Sequence, residues 1–170
     1  MFGFGRRFKS RHKLTPDDFE ALARKRAVAP VRARKIGCIA ARQALGAERV
    51  DTHSNGREMT YIAAPGDWIA TTLTAERTPA RDQDGRLDRY VIPAARFAEL
   101  YQPDGPASEL GGVFRGRAVV RALYLPDGLD IMAPWGERQR IASGYLIANA
   151  DEVYGIRAET FADTYEVLAG

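Results

Sequence analysis

Part of this chain occurs twice. Residues 90–101 and residues 154–165 carry identical side chains at six matched positions. The matched pairs are Tyr90 and Tyr154, Ile92 and Ile156, Ala94 and Ala158, Phe97 and Phe161, Ala98 and Ala162, and Tyr101 and Tyr165. Equal spacing within an element puts equivalent side chains on equivalent faces. The repeat therefore predicts two copies of one small structural unit in tandem, and it limits the possible folds more than any other feature.

Strand signals dominate both copies. Asn55 and Gly56 lie between two β-rich runs, as the turn of a β-hairpin does. Residues 31–44 fit either a strand or a helix, but their counterpart at 114–125 is rich in β-branched and aromatic residues. We therefore expect strands in both places.

Each copy also predicts one short helical turn, at 94–101 and at 158–165. Together with about five short strands a copy, this indicates a mainly β (α+β) chain. We expect a tandem pair of small SH3-like bent barrels, which pack on each other because so small a unit buries little surface alone. The first barrel is expected at 31–105 and the second at 113–170, after a basic arm and helix at 1–29.

The sequence before the first copy predicts one helix. Thr15 is a typical N-cap residue, Pro16 suits the first helical position, and acidic residues follow in the first turn. Pro30 stops a helix that would otherwise continue. We expect a helix at about 16–27.

Charge is distributed unevenly. Residues 1–35 contain 11 Lys or Arg and 3 Asp or Glu, whereas residues 36–170 contain 14 Arg and 19 Asp or Glu. A basic segment on a mildly acidic body indicates an anionic partner: a nucleic acid, an acidic protein surface or a membrane face. A solubilising tail is the alternative.

The chain also lacks the signals of a membrane or secreted protein. No apolar run approaches the roughly 18 residues that span a bilayer, the N-terminus has no apolar signal stretch, and there is one cysteine. We expect a cytoplasmic protein without a membrane span.

Aromatic and basic residues are interleaved in the first 13 positions. Such side chains can stack on bases or enter apolar pockets of a partner. We expect this basic arm to extend from the folded body and to bind the partner. Its candidate contact residues are Phe4, Arg6, Arg7, Phe8, Lys9, Arg11 and Lys13.

The first copy contains an insertion that the second lacks. Trp68 and Tyr145 are equivalent positions 77 residues apart, whereas Tyr101 and Tyr165 are 64 apart, so the first copy is longer by 13 residues. The extra length falls in the charged segment 72–89, which we expect to project as a solvated loop. Candidate partner contacts in this loop, and in one turn of the second copy, are Arg77, Arg81, Arg86 and Trp135.

The repeated aromatic residues are expected to form the cores, because packing positions repeat when a fold repeats. They are Trp68, Tyr90, Phe97, Tyr101, Tyr145, Tyr154, Phe161 and Tyr165.

No set of residues predicts catalysis. His53 has an Asp and a Ser nearby, but close neighbours in a hairpin alternate faces and cannot converge as a triad. Cys38 has no His placed to activate it, so we expect a buried structural thiol. Asp82 and Asp84 lack the rest of a calcium loop, and the glycines at 111–112 lack the Lys-Ser/Thr of a phosphate-binding loop. We expect no enzyme activity, metal site or cofactor.

One motif resembles a known family. The residues after the hairpin read Pro65-Gly66-Asp67-Trp68-Ile69, and Tyr90-Val91-Ile92 and a Phe97-x-x-x-Tyr101 turn follow. This combination resembles the PGDW/PGDY-type small domains of bacterial and phage proteins of unknown function, in two tandem copies.

The resemblance covers residues of about 50–102 and, with departures, about 129–168. In the second copy Ser143-Gly144-Tyr145 stands in place of Gly66-Asp67-Trp68, so Asp67 has no acidic counterpart. The family implies a fold and no established activity.

Three functions follow as hypotheses. The first is a non-enzymatic interaction module that docks into a larger protein assembly through its arm and loops. The alternative is a nucleic-acid-binding protein in which the arm and the basic run at 24–35 neutralise phosphates. The third is a small-ligand binder or enzyme with a cleft between the copies, for which the candidate residues are Asp67, Glu137, Arg138 and Tyr61.

Overall fold

The computed structural model describes residues 5–54, 57–82 and 84–169, with backbone only at residues 53, 54 and 57–59. The chain is mainly β, with 50% strand and 16% helix, which confirms the expected class. Among these residues no closed barrel is found, so the SH3-like barrel stays a prediction.

The described residues form fifteen strands and three helices. The helices are α1 (Pro16–Arg26), α2 (Ala94–Leu100) and α3 (Ala158–Thr164). The first strands are β1 (Phe8–Lys13), β2 (Val31–Lys35), β3 (Cys38–Gln43), β4 (Glu48–Ser54), β5 (Arg57–Ala63), β6 (Trp68–Thr72), β7 (Arg89–Ile92) and β8 (Tyr101–Pro103). The others are β9 (Gly112–Gly116), β10 (Val119–Leu125), β11 (Leu129–Met132), β12 (Arg138–Ile141), β13 (Gly144–Asn149), β14 (Glu152–Arg157) and β15 (Tyr165–Val167).

The chain forms two compact units. Unit 1 comprises Met1–Lys35 and Val119–Gly170, and unit 2 comprises Ile36–Ala118. Unit 1 contains a five-stranded sheet in the order β14-β13-β10-β2-β15 and a three-stranded sheet in the order β1-β11-β12. Unit 2 contains a five-stranded sheet in the order β7-β6-β3-β9-β8 and the hairpin β4-β5.

The two five-stranded sheets are built alike. Trp68 lies opposite Ile92 in unit 2, and Tyr145 lies opposite Ile156 in unit 1. Position by position, β2 corresponds to β9, β10 to β3, β13 to β6, β14 to β7 and β15 to β8. The repeated windows therefore adopt the same strand, helix and strand, as their matched spacing predicts.

One strand of each copy lies in the other unit. In sequence β2 begins the first copy, yet it pairs with β10 and β15 of the second. Likewise β9 begins the second copy and pairs with β3 and β8 of the first. The compact units therefore differ from the expected division at 31–105 and 113–170, because the copies exchange their first strands.

Backbone geometry explains the exchange. Residues 36–37 connect β2 to β3, and residues 117–118 connect β9 to β10. A two-residue hairpin turn needs positive φ, and none of these four residues has it. The chain therefore does not fold β2 back onto β3, and each strand continues into the other sheet.

Helix α1 begins and ends as its sequence predicts. The Thr15 hydroxyl accepts a hydrogen bond from the Asp18 N–H, while the Asp18 carboxylate accepts one from the Thr15 N–H. This capping box satisfies two of the N–H groups that a helix start leaves without partners. At the other end Ala27 has φ 53° and closes the helix in the left-handed conformation.

The inner face of α1 completes the core of unit 1. Phe19 is fully buried among leucine and isoleucine side chains of β10, β11, β12 and β13, and Phe8 packs against the same cluster. Gly155 has no side chain where Leu129 approaches, since a Cβ there would lie 2.8 Å from a Leu129 methyl group.

Asp67 lies outside helix α2 and caps its N-terminus. Its carboxylate accepts hydrogen bonds from the Ala64 N–H and from the Ala94 N–H, the first of α2. In unit 1 the Ser143 carbonyl accepts the equivalent Ala158 N–H at 3.2 Å. The second copy therefore lacks an acid here because a backbone oxygen takes its place.

Candidate anion-binding surface

The three-stranded sheet of unit 1 has one buried face and one charged face. β1 and β11 run parallel, with Phe8 opposite Leu129 and Lys9 opposite Asp130. Phe8 and Leu129 point into the core, so Lys9 and Asp130 point outward. Arg140 of β12 lies opposite Asp130 and completes an outward row.

A second row lies further along the same face. Lys13 is opposite Met132, and Met132 is opposite Arg138. Gln139, between the arginines, faces inward and exchanges two hydrogen bonds with the Gly155 backbone. We call the outward surface the basic face, defined by Lys9, Lys13, Arg138 and Arg140.

Asp130 organises the basic face from beneath. Its side chain is 11% exposed, and its carboxylate lies 2.6 Å from Arg138 Nε and 3.6 Å from Arg140 Nε. The hydrogen bond from Arg138 lowers the pKa of Asp130 below its ordinary value, and the charges of Arg140 and Lys9 add to this against the opposing effect of burial. One buried carboxylate thus orients two guanidinium groups at an exposed surface.

A groove adjoins the basic face. It has a volume of about 590 Å³ and lies between the start of the chain and α1. Its basic lining residues include Arg6, Arg7, Lys25 and Arg26, and Lys9 belongs to both the groove and the basic face. Asp18 is the acidic residue of the lining. We call this the arm–helix groove.

Trp135 lies at the far end of the same sheet. It is in the turn between β11 and β12, three residues after Met132, and it is 51% exposed. Its indole Nε1–H donates to Glu137 at 3.0 Å, and its ring centroid is 6.1 Å from that of Tyr154. An indole held by its polar edge and one neighbour presents the rest of its surface to solvent.

The structure places the expected arm differently. Residues 8–13 form β1 in a sheet, Phe8 packs in the core, and the Phe8 N–H donates to the Gly128 carbonyl. The expectation that this segment extends from the body is therefore wrong for residues 8–13, because apolar packing and β pairing hold it. Phe4 lies outside the described residues. The exposed residues of the former arm are Arg6, Arg7, Lys9, Arg11 and Lys13.

The loop arginines have partners within unit 2. Arg77 forms an ion pair with Asp104 at 2.8 Å, Arg81 donates to the Gly85 carbonyl, and Arg86 pairs with Asp82. The segment 72–89 folds back on itself through backbone bonds such as Thr72 N–H to the Asp88 carbonyl. The three arginines that we predicted as partner contacts thus hold the loop in its own conformation.

The Asp104 site gathers charge around the cysteine. Burial acts to raise the pKa of Asp104, but the hydrogen bond from Arg115 and the charge of Arg77 outweigh it and lower the pKa. Cys38 is half-buried, with its Sγ 3.8 Å from the Asp104 carboxylate.

The eight repeated aromatic residues lie in the two matching cores. The Tyr90 and Tyr101 hydroxyls are 2.8 Å apart, and Tyr154 and Tyr165 are the equivalent residues of unit 1. Burial, with the Tyr165 hydroxyl, raises the pKa of Tyr154 well above its ordinary value. These tyrosines act in packing.

The four residues that we considered for a ligand cleft are divided between the two units. Tyr61 and Asp67 belong to unit 2, and Glu137 and Arg138 belong to unit 1. The side chain of His53 lies outside the described residues. In the part of the chain that the structure describes, no group of three or more His, Cys, Asp or Glu side chains is placed to hold a metal ion.

Sequence reasoning missed β1 and β12, and with them the basic face. The alternation Arg138-Gln139-Arg140-Ile141 carries the signal for β12, because its period of two puts both arginines on one side. The N-terminal segment of mixed aromatic and basic residues shows no such alternation beyond Phe8 and Ser10, so it carries no comparable signal for β1.

Comparison with known proteins finds no family model, no curated protein and no solved structure that matches the chain. The likeness of residues 65–69 to PGDW/PGDY-type domains therefore stays a resemblance. No helix in the described ranges is long and apolar enough to cross a bilayer.

Proposed function

We propose that this protein is a non-enzymatic binding module that docks an anionic partner on unit 1, within a larger assembly. The observation that supports this is the clustering of cations, all exposed except the half-buried Arg26, on one small sheet and the adjoining groove. The eight cations are Arg6, Arg7, Lys9, Lys13, Lys25, Arg26, Arg138 and Arg140.

Charge balance supports an anionic partner. Among the side chains that define this surface, the acids are Asp130, which is buried beneath the face, and Asp18, which caps α1. The loop arginines of unit 2 are in ion pairs or backbone bonds. Arg140 also lies near Asp130, but its side chain stays 72% exposed, against 44% for Arg77 and 38% for Arg86. A face on which cations outnumber carboxylates raises the local concentration of an anion and speeds its binding.

A polyanion binding experiment tests this proposal. Heparin is the probe, and its affinity for the full chain is measured by titration at about 50 mM salt, where screening is weak. We expect Arg7→Glu with Lys25→Glu to weaken binding at least tenfold, because both residues line the arm–helix groove.

Arg49→Glu with Arg117→Glu is the matched control, since it changes net charge equally at exposed positions of unit 2. We expect it to stay within about twofold of the wild type. Equal losses in both double variants would show an effect of net charge alone and would overturn the docking surface. Absence of heparin binding by the wild type would do the same.

A further inference from the structure

We propose that the partner of the basic face is single-stranded nucleic acid, whose phosphates lie along β1 and β12 and whose base stacks on Trp135. This inference rests on the proposed function and names the ligand class for the same surface. Phosphodiesters and unpaired bases are shared by single-stranded DNA and RNA.

The geometry of the basic face suits a chain of phosphates. Lys9 and Lys13 pair with Asp130 and Met132, which are two residues apart in β11, roughly 7 Å, and β12 lies two strands from β1, roughly 10 Å away. Arg140 stands in the row of Lys9, and Arg138 in the row of Lys13. Two rows of cations on one face of a sheet can contact successive phosphates, as in other proteins that bind single strands through a positively charged track.

Asp130 holds Arg138 and Arg140 in an orientation that suits phosphate binding. It engages Arg138 through Nε, and Arg140 also approaches it through Nε. Because Nε lies on the stem side of the guanidinium group, this contact fixes the stem while the group points outward. A pre-oriented guanidinium group loses less side-chain entropy when it binds a phosphate.

Trp135 adds an exposed aromatic ring, which the binding of phosphates alone does not require. Five large apolar side chains are exposed in the described part of unit 1: Val28, Val119, Tyr124, Trp135 and Val167. Trp135 is the one that adjoins the basic face. A protein partner would need an apolar patch at the centre of its interface, whereas an unpaired base needs one exposed ring beside cations.

The arm–helix groove extends the track. It meets the basic face at Lys9, at the end opposite Trp135. The strand of nucleic acid would therefore run from Arg6 and Arg7, across the face, to the indole.

Titration with a 12-nucleotide oligo-dT tests the inference. The chain has two tryptophans, so in a Trp68→Phe background the emission comes from Trp135. We expect oligo-dT to quench this emission, and we expect Trp135→Ala, made in the wild type, to weaken binding about tenfold while Trp135→Phe retains most of the affinity. Tyr124→Ala is the control, since Tyr124 is an exposed aromatic residue on β10, at 44% against 51% for Trp135, and it should change affinity less than twofold.

Salt dependence counts the phosphates. The affinity of a single strand should fall with log salt at a slope of roughly −3 if about four phosphates are neutralised. Arg140→Gln should reduce the magnitude of that slope by about 0.7, and Arg157→Gln, at an exposed site of β14, should leave it unchanged.

Polyglutamate and a duplex of equal length separate the outcomes. If polyglutamate binds as tightly as oligo-dT and Trp135→Ala affects neither, the inference is overturned while the proposed function stands. Tighter binding of the duplex without quenching also overturns it. If heparin, oligo-dT and polyglutamate all fail to bind at about 50 mM salt, both proposals fail together.

Discussion

Trp68 stacks on Phe97 with ring centroids 3.9 Å apart and planes within 9°. The same contact recurs in unit 1, where Tyr145 stacks on Phe161 at 3.8 Å. In each unit a strand residue thereby holds the short helix that follows the next strand. The helices are only two turns long and marginal alone, so this aromatic contact keeps them in place.

Removal of either phenylalanine ring should destabilise its own unit. Phe97→Ala and Phe161→Ala should each lower the free energy of unfolding by about 3–5 kcal/mol, because the rings are 6% and 3% exposed. Urea unfolding followed by tryptophan fluorescence measures this, in a Trp135→Phe background for unit 2 and in a Trp68→Phe background for unit 1. Leu45→Ala, at a side chain 98% exposed, is the control, and a comparable loss there would contradict the assignment of the core.

The strand exchange predicts which fragments fold. Residues 36–118 contain all five strands of the unit 2 sheet, so this fragment should fold alone. Residues 31–105 follow the sequence repeat but lack β9, which lies between β3 and β8, and should stay unfolded. Circular dichroism and amide chemical-shift dispersion distinguish them, and a folded 31–105 fragment would refute the exchange.

Acid should weaken unit 1 through Asp130. Its folded-state pKa is lowered, so the ionised carboxylate stabilises the fold above the unfolded pKa of roughly 3.9, and this contribution is lost as the pH falls through the lower folded value. Asp130→Asn should therefore be less stable than the wild type at pH 7, and the difference should shrink at low pH. Urea midpoints at several pH values test this; a difference that does not change with pH would contradict it.

The N-terminal strand should contribute to stability. Phe8→Ala should lower the unfolding free energy of unit 1 by about 1–3 kcal/mol, since the half-buried ring packs against the core. Arg11→Ala, at an exposed position of the same strand, should stay within about 0.5 kcal/mol. Equal stabilities of the two variants in urea would show that β1 is dispensable.

Local signals in the sequence predicted local structure. The Thr15 cap placed α1, and β4 and β5 form the hairpin expected around Asn55 and Gly56, although the turn residues lie outside the described residues. The repeat predicted that residues 90–101 and 154–165 would share one conformation. In each case the deciding interaction joins residues close in sequence.

The sequence did not predict which strands distant along the chain pair with each other. Nothing in Val31–Lys35 shows that its partners are β10 and β15, since a strand reads the same beside either neighbour. The basic face was missed for the same reason: its rows join residues more than 100 positions apart, such as Lys9 and Asp130. Side chains meet there only because β1 pairs with β11, a strand distant from it in sequence.

Because of the strand exchange, the order in which the strands are synthesised affects how the chain folds. When β2 leaves the ribosome its partners do not exist, whereas unit 2 can complete its sheet by residue 118. Pairing of Cys38 with Arg115 then brings Lys35 and Val119 together, so the 83 residues between them no longer have to be closed as a loop. That saves about 2 kcal/mol of chain entropy for the nascent N-terminal segment. Folded unit 2 thus holds β2 beside the start of β10, so that the last third of the protein to be made can pair with it.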